Sequence, residues 1–344
     1  MRIILGGLLV VLALLGCSRE PSLQRAEFIA MGTLVNLSFY GEDAARVREL
    51  TRLIQQDFEQ MNADWHPWQG GALGQVNQQV QKPESILLPE ATRQILQEAQ
   101  RLSDLSDGLF NPTLGGLVKL WGFHQEIMPT RPPSADAIKS WLQSSPSMNQ
   151  VHLSADFQMR VDNPALVFDL GGFAKGYAVD KAIAHLRAIG VKNAIVNAGG
   201  DLRAIGSKGG QPWVIGIRHP RGEGALARVE VQGDESVYTS GDYERFFEFE
   251  GRRYHHILDP RTGYPTQGLT SVTILHNQGA LSDAAATALM VAGPKDWSRI
   301  AARMGLDRVM VVKDDGTVQM SAAMQQRIQF EAGQTPKVEV VALP

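Results

Sequence analysis

FDLGGFAKGYAVDKA, residues 168–182, sets an acid, two glycines and a lysine where the apolar run Leu166-Val167-Phe168 gives way to a helical pattern. Gly171-Gly172 lets the backbone approach a ligand with no Cβ in the way. Lys175 falls in the first helical turn, where free amides favour an anion. Neither standard phosphate motif fits. A P-loop carries Ser or Thr after its lysine, and here Gly176 follows Lys175; a dinucleotide-binding turn spaces its glycines at positions one, three and six, and here they stand at 171, 172 and 176. On its own the stretch also reads as a tight strand-to-helix turn with a solvated lysine.

Outward from this turn, strand and helix patterns alternate without a repeat. Upstream, Phe28–Tyr40 is strand-like around Gly32, and Asp43–Met61 repeats apolar residues at helical spacing. Ala91–Leu105 and Ser134–Leu142 read as helices, and Val151–Leu153, Met159–Val161 and Ala165–Asp169 as strands. Gly176–Ile189 is a helix closed by Gly190. Downstream come strands at Ala194–Asn197, Leu202–Ile205, Val214–Arg218, Leu226–Val231, Ser236–Ser240, Phe246–Phe249 and Thr270–Leu275. Ser282–Val291 is a helix capped by Ser282 and stopped by Gly293-Pro294, before strands at Val309–Val312 and Val318–Met320. No Pro/Gly/Ser linker divides the body. The expectation is one α+β domain over residues 28–344, with a mixed, largely antiparallel sheet packed by helices.

The 344 residues, 44% apolar, are ample to bury a core, and the formal net charge of −3 with no Lys/Arg-rich run gives no footprint for nucleic acid. At the N-terminus, Arg2 precedes an apolar run from Ile3 to Leu15, then Gly16 and the single cysteine, Cys17. The run suits a signal-peptide core and is too short for a stable span. Leu14-Leu15-Gly16-Cys17 resembles a bacterial lipobox, in which the cysteine is lipidated; a lone thiol has no disulfide partner in an oxidising compartment. Residues 1–17 are thus expected to be a lipoprotein signal and residues 18–27 a tether. That places the body on the periplasmic face of a bacterial membrane, held by a lipid anchor.

Four constellations can carry chemistry: the opening turn, a helix, a histidine segment and an aromatic loop. Asp283 and Thr287 stand four apart, hence on one helix face. A carboxylate plus a hydroxyl is hard-oxygen ligation suited to Mg²⁺, although an isolated Asp-x-x-x-Thr is commonly a solvated helix face. On such a surface-reaching helix, loss of Asp283 is expected to cost little stability. The segment Arg253–Gly263 holds His255 and His256; adjacent strand residues face opposite ways, so only one enters a site. Asp259 stands where it could orient His256. The turn-dense loop 106–123 contains Leu109, Phe110, Asn111 and Trp121 and is long enough to wrap a ring, or to pack as a surface loop.

The order of the motifs says more than any one of them. Lipobox, AMGT (30–33), FNPTLGGLVKLWGF (110–123), FDLGGFAKGYAVDKA, NAGGDLRAIG (197–206), TSGDYERFF (239–247), HHILDPRTGYP (255–265) and SDAAATALMV (282–291) follow one another. This succession resembles the FAD:protein FMN transferase family, also called the ApbE family. The resemblance implies an Mg²⁺-dependent enzyme that cleaves FAD, releases AMP and joins FMN by a phosphoester to a threonine of a target protein. Implied FAD contacts are Met31, Trp65, Leu109, Phe110, Asn111, Asp169, Lys175 and Ile257. The implied metal ligands are Asp283, Thr287 and the Gly172 carbonyl, and the implied catalytic residue is His256. Where the family usually has Tyr-Asp-Pro this chain has Trp65-His66-Pro67, and its Phe-Asp-Pro-Thr is Phe110-Asn111-Pro112-Thr113. Implied targets are extracytoplasmic subunits of sodium-pumping NADH:quinone reductase or related electron-transfer complexes. An FAD pyrophosphatase and a passive FAD-binding lipoprotein remain as alternatives.

Overall fold

A computed structural model describes residues 22–82 and 84–344. Its spine is a nine-stranded sheet whose spatial order follows the chain. The strands are Leu23–Ala30, Thr33–Tyr40, Ala194–Ala198, Asp201–Gly206, Gly233–Gly241, Leu269–His276, Val309–Lys313, Val318–Met320 and Val338–Val340. Every neighbouring pair is antiparallel except the last, Val318–Met320 with Val338–Val340. The fold is the expected α+β domain with a mixed, largely antiparallel sheet.

One face of the sheet is packed by α1 (Ala44–Trp65), α6 (Ala174–Ala188) and α7 (Gly279–Arg303); α2 (Ala72–Gln79) packs on α1, α3 (Glu90–Leu105) on α7, and α4 (Gly115–Leu120) on α5 (Ala135–Ser144). α1 begins where Asp43 accepts the N–H groups of Ala45 and Arg46, both at 2.8 Å, and it buries Val47, Leu50, Ile54, Phe58 and Trp65. Strand residues alternate between two cores. Val272 and Ile274 face the helices, whereas Val237 and Leu275 meet a three-stranded sheet made of Trp213–Arg218, Ala225–Val231 and Ile328–Phe330. A third cluster, Leu117, Trp121, Phe123, Ile138, Phe247 and Leu258, joins α4 and α5 to the hairpin Phe246–Phe249/Arg252–His255.

α6 and α7 cross at two glycines. A Cβ on Gly176 would stand 2.4 Å from the Gly279 carbonyl oxygen, and one on Gly279 would stand 2.6 Å from the Tyr238 hydroxyl. No other residue type fits this crossing without separating the helices.

Several sequence expectations need correction. Of the segment 18–27 expected as a tether, residues 23–27 belong to the first strand, Leu23–Ala30; residues 18–21, Cys17 and the apolar run before it lie outside the described residues. Phe28–Tyr40 is two strands joined at Met31 (φ 50°) and Gly32 (φ 69°). Ala165–Asp169 makes only a bridge between Val167 and Leu114. Its backbone is engaged elsewhere: the Asn77 amide bonds both the N–H and the carbonyl of Phe168, at 2.8 and 2.9 Å, and the Asp169 N–H goes to Pro112. Ser282 does not cap its helix. The helix starts at Gly279, and Ser282 lies inside it, donating to the Gln278 carbonyl at 2.8 Å. Among the described residues, no helix is long and apolar enough to cross a membrane.

Candidate active site

The turn of residues 169–175 is fixed from both sides. Asp169 Oδ1 accepts the Gly171 N–H at 2.9 Å, forming a short Asx turn. Gly172 lies against Phe110 and α7; a Cβ there would meet the Phe110 ring at 3.2 Å and Thr287 Oγ1 at 3.6 Å. Thr287 Oγ1 donates to the Gly172 carbonyl at 3.4 Å, and Asp283 Oδ2 accepts the Gly176 N–H at 2.9 Å. One carboxylate, one hydroxyl and one backbone carbonyl thus converge where the turn meets α7. Among the described residues no group of three or more His, Cys, Asp or Glu side chains is placed to hold a metal. The oxygens present still form a hard-donor set that fits Mg²⁺, which keeps several waters and takes few protein ligands.

Lys175 is not free for solvent. Its ammonium pairs with Asp201 Oδ2 and stands 3.8 Å from Asp283 Oδ1, while Asp201 Oδ1 accepts the Thr239 N–H at 3.3 Å. Burial alone would lower the Lys175 pKa, but Asp201 and Asp283 outweigh it and hold the ammonium charged. Asp283 is only 4% exposed. Burial pushes its carboxyl up, Lys175 opposes that, and Asp201 and Asp180 add repulsion. Glu244 also feels Lys175 and Asp201, and desolvation raises its pKa. One ammonium therefore faces several carboxylates, so this pocket favours additional positive charge.

The histidine segment sits beside the turn. His255 ends a strand and is buried, its Nε2 2.9 Å from the Thr266 carbonyl oxygen. His256 is half-buried; its N–H donates to the Arg245 carbonyl at 3.0 Å, and its Nδ1 has no partner. Burial, then the neighbouring His255 and Arg245, hold the His256 ring well below its usual pKa. It is a neutral imidazole at physiological pH. Arg245 also acts on the other side of the site, where its charge opposes the burial that raises Asp169.

Asp259 does not orient His256. Its carboxylate is bound by Arg261, whose Nε and Nη2 donate at 2.9 and 2.8 Å. Asn111 is likewise occupied, donating to the Pro146 carbonyl at 2.9 Å and accepting from Thr113 Oγ1 at 2.6 Å. Phe110 is buried edge-to-face on Phe173, with ring centroids 5.5 Å apart. Trp65 packs the same way on Tyr177 at 5.4 Å. Ile257 is buried and bonded through its carbonyl to the Thr266 N–H. Leu109 and Asn111 line a separate cavity of about 650 Å³ with Trp141, Arg261 and Arg303. Met31 stands at its hairpin tip in a left-handed conformation, which β-branched and bulky residues seldom adopt. The structure thus gathers Phe110, Asp169, Gly172, Lys175, Asp283 and Thr287 into one cluster, linked through Arg245 to His256. Met31 is partly buried and packs against the same apolar core that contains Phe110. Sequence reasoning gave no role to Asp201, Glu244, Arg245 or Asp180, though all four lie in quoted motifs.

The ApbE family model matches residues 31–310. The chain belongs to the ApbE family. It is an enzyme of that family. The FAD:protein FMN transferase of Rhodobacter capsulatus is 39% identical over 92% of this chain, which spans 61% of that longer protein. The FAD:protein FMN transferase of Vibrio cholerae is 31% identical, covering 92% of this chain and 96% of its own. The crystal structure of the ApbE protein of Thermotoga maritima aligns with a TM-score of 0.82 at 32% identity, over 89% of this chain and 99% of that one. ApbE membership fits the single-domain architecture, since the match spans both the turn of residues 169–175 and the histidine segment.

Proposed function

We propose that this ApbE-family enzyme is an Mg²⁺-dependent FAD:protein FMN transferase acting on a threonine of extracytoplasmic target proteins. The observation that carries the reading is the convergence of Asp283, Thr287 and the Gly172 carbonyl on the turn that bears Lys175, with a neutral histidine beside it. An acidic pocket cannot take an anionic diphosphate unaided. Asp283, Thr287 and Gly172 would hold the Mg²⁺, which supplies charge neutralisation at the diphosphate. Lys175 adds a fixed positive charge.

His256 takes the proton of the acceptor threonine hydroxyl; only its neutral form has a lone pair for this, and its lowered pKa keeps that form populated. The threonine oxygen forms a new bond to the FMN-side phosphorus as the bridging P–O bond breaks. AMP leaves with the bridging oxygen. Arg245 fixes the backbone at His256 through its carbonyl, so the base is positioned by main chain rather than by Asp259. Trp65, Phe110 and Ile257, which the family resemblance sets against the flavin, are buried in one apolar core with Leu170 and Phe173 of the turn.

The deciding experiment incubates the protein with FAD, Mg²⁺ and an acceptor subunit of a sodium-pumping NADH:quinone reductase. FMN mass on a threonine with equimolar AMP is expected. FMN and AMP free in solution would make it a pyrophosphatase, and no AMP would make it a carrier. The Leu14–Cys17 lipobox supports anchoring on the periplasmic face of a membrane. A Cys17→Ser protein that still fractionates with membranes would overturn that part.

A further inference from the structure

The helix bearing Asp283 and Thr287 is broken in its middle. Gly293 has φ 75° and Pro294 follows, so the chain from Gly279 to the break is a half-helix of its own. Its last carbonyls lack regular in-helix N–H partners, and Pro294 has no N–H to give. The Val291 carbonyl is met instead by Arg261 Nη2 at 2.7 Å. Arg261 is aimed there by Asp259, which binds its Nε and Nη2 and also its backbone N–H at 2.8 Å.

Asp259 and Arg261 belong to the turn directly after His256. The Asp259 N–H donates to the Tyr264 carbonyl and its carbonyl accepts the Gly263 N–H, both at 2.8 Å. Trp121 Nε1 ties that turn to α4 through the Gly263 carbonyl, also at 2.8 Å. At the opposite end of the half-helix, the Asp180 carboxylate accepts the N–H groups of Gly279 and Ala280 at 2.9 and 3.0 Å, and is itself held by Arg203 at 2.6 Å. A carboxylate at the N-terminus and a guanidinium at the C-terminus both suit the helix dipole. One end is thereby registered to α6 and the diphosphate turn, the other to the histidine segment.

We propose that Arg261, held by Asp259, is a positioning residue that sets the place of the Asp283/Thr287 half-helix relative to His256. This rests on the transferase reading and deepens it. The Arg261 guanidinium is taken up by the Asp259 carboxylate and the Val291 carbonyl. It acts through geometry, where a misplacement of about 1 Å at reacting groups costs up to ~100-fold in rate. Lysine cannot replace it, since a single ammonium cannot take both Asp259 oxygens in a planar fork while reaching Val291.

The test compares full-length wild type, Arg261→Ala, Arg261→Lys and Asp259→Asn by two readouts. Steady-state FMN transfer is expected to show kcat reduced about 10- to 100-fold in Arg261→Ala, with KM for FAD within about threefold. Arg261→Lys should recover little of that loss, and Asp259→Asn should fall between Arg261→Ala and wild type. Hydrogen–deuterium exchange should quicken about fivefold or more in a peptide covering residues 283–292, with α6 unchanged. A kcat loss without faster exchange would place the effect elsewhere. Faster exchange with normal kcat would leave Arg261 purely structural, and full rescue by lysine would reduce its part to charge. Should wild type itself yield no AMP with any acceptor, the transferase reading fails, while the exchange comparison still decides whether Arg261 holds the half-helix. If Arg261→Ala does not fold, Asp259→Asn carries both readouts.

Discussion

Replacing Asp283 separates its structural task from its chemical one. The sequence pattern puts it on a surface-reaching helix, but the structure buries it at the α6–α7 crossing, where it accepts the Gly176 N–H at 2.9 Å. Asp283→Ala orphans that buried donor, which costs about 1–3 kcal/mol. Both Asp283→Ala and Asp283→Asn remove a carboxylate whose ionised form burial disfavours. Because its folded pKa is raised, wild type loses stability as pH climbs above the usual carboxylate range; neither variant should show this fall. The two variants therefore differ chiefly in the hydrogen bond. In metal-free buffer, alanine should be less stable than asparagine by about 1–3 kcal/mol, or about 1–4 °C in Tm for a chain this size. If Asp283 holds the metal as proposed, transfer should drop at least ~100-fold in both, since neither a methyl nor a neutral amide replaces the charged carboxylate. Scanning calorimetry in EDTA and FMN-transfer assays across Mg²⁺ concentrations measure the two effects. Equal Tm values for alanine and asparagine would refute the role of the Gly176 bond. Transfer by Asp283→Asn at the wild-type rate and Mg²⁺ requirement would remove Asp283 from the metal site.

His256→Ala should bind FAD nearly as wild type by flavin fluorescence, yet transfer FMN ~10²- to 10⁴-fold more slowly; a wild-type rate would end its assignment as base. Gly176→Ala forces a methyl to 2.4 Å from the Gly279 carbonyl oxygen, so a destabilisation of about 1–3 kcal/mol or more is expected by urea unfolding. An unchanged midpoint would mean that α6 and α7 are not held at this crossing. Burial lowers the His255 pKa, so the unfolded chain takes up its proton first and stability falls as pH drops below about 6.5. His255→Gln should flatten that slope in Tm measured from pH 5 to 8, without changing FMN transfer at pH 7.5.

The local signals read true wherever local physics decides. The helix read from Asp43 is α1, Gly190 closes α6 at φ 87°, and Gly293-Pro294 interrupts α7 as its residues dictate. The errors arise where partners are distant in sequence. Ala165–Asp169 has strand composition, but the Asn77 side chain occupies the backbone of Phe168 from 91 residues away. Nothing near Asp201 announces that it will pair with Lys175 across 26 residues. Asp259 looked like a partner for His256 by proximity in the chain, whereas Arg261, two residues on, takes its carboxylate. The short α2 and α4 went unread because eight and six residues are too few to show a helical repeat, and α4 also opens on two glycines, which are poor helix formers.

A sheet whose spatial order matches chain order divides the molecule's labour in an unusual way. Three of the long excursions that leave it carry the site: one between Tyr40 and Ala194, one between Gly241 and Leu269, and one between His276 and Val309; a fourth, between Gly206 and Gly233, carries Trp213–Arg218 and Ala225–Val231 of the second sheet. Lys175 rides on the first, His256 on the second, and Asp283 with Thr287 on the third; Asp201 alone sits on the ladder itself. The register of the strands can therefore stay fixed while lengths and sequences of the excursions drift, giving mutation a route to new acceptor proteins without disturbing the scaffold. The same arrangement makes assembly a convergence problem. The excursions must dock on one another after leaving separate strand pairs, and the chemistry exists only when all three have arrived.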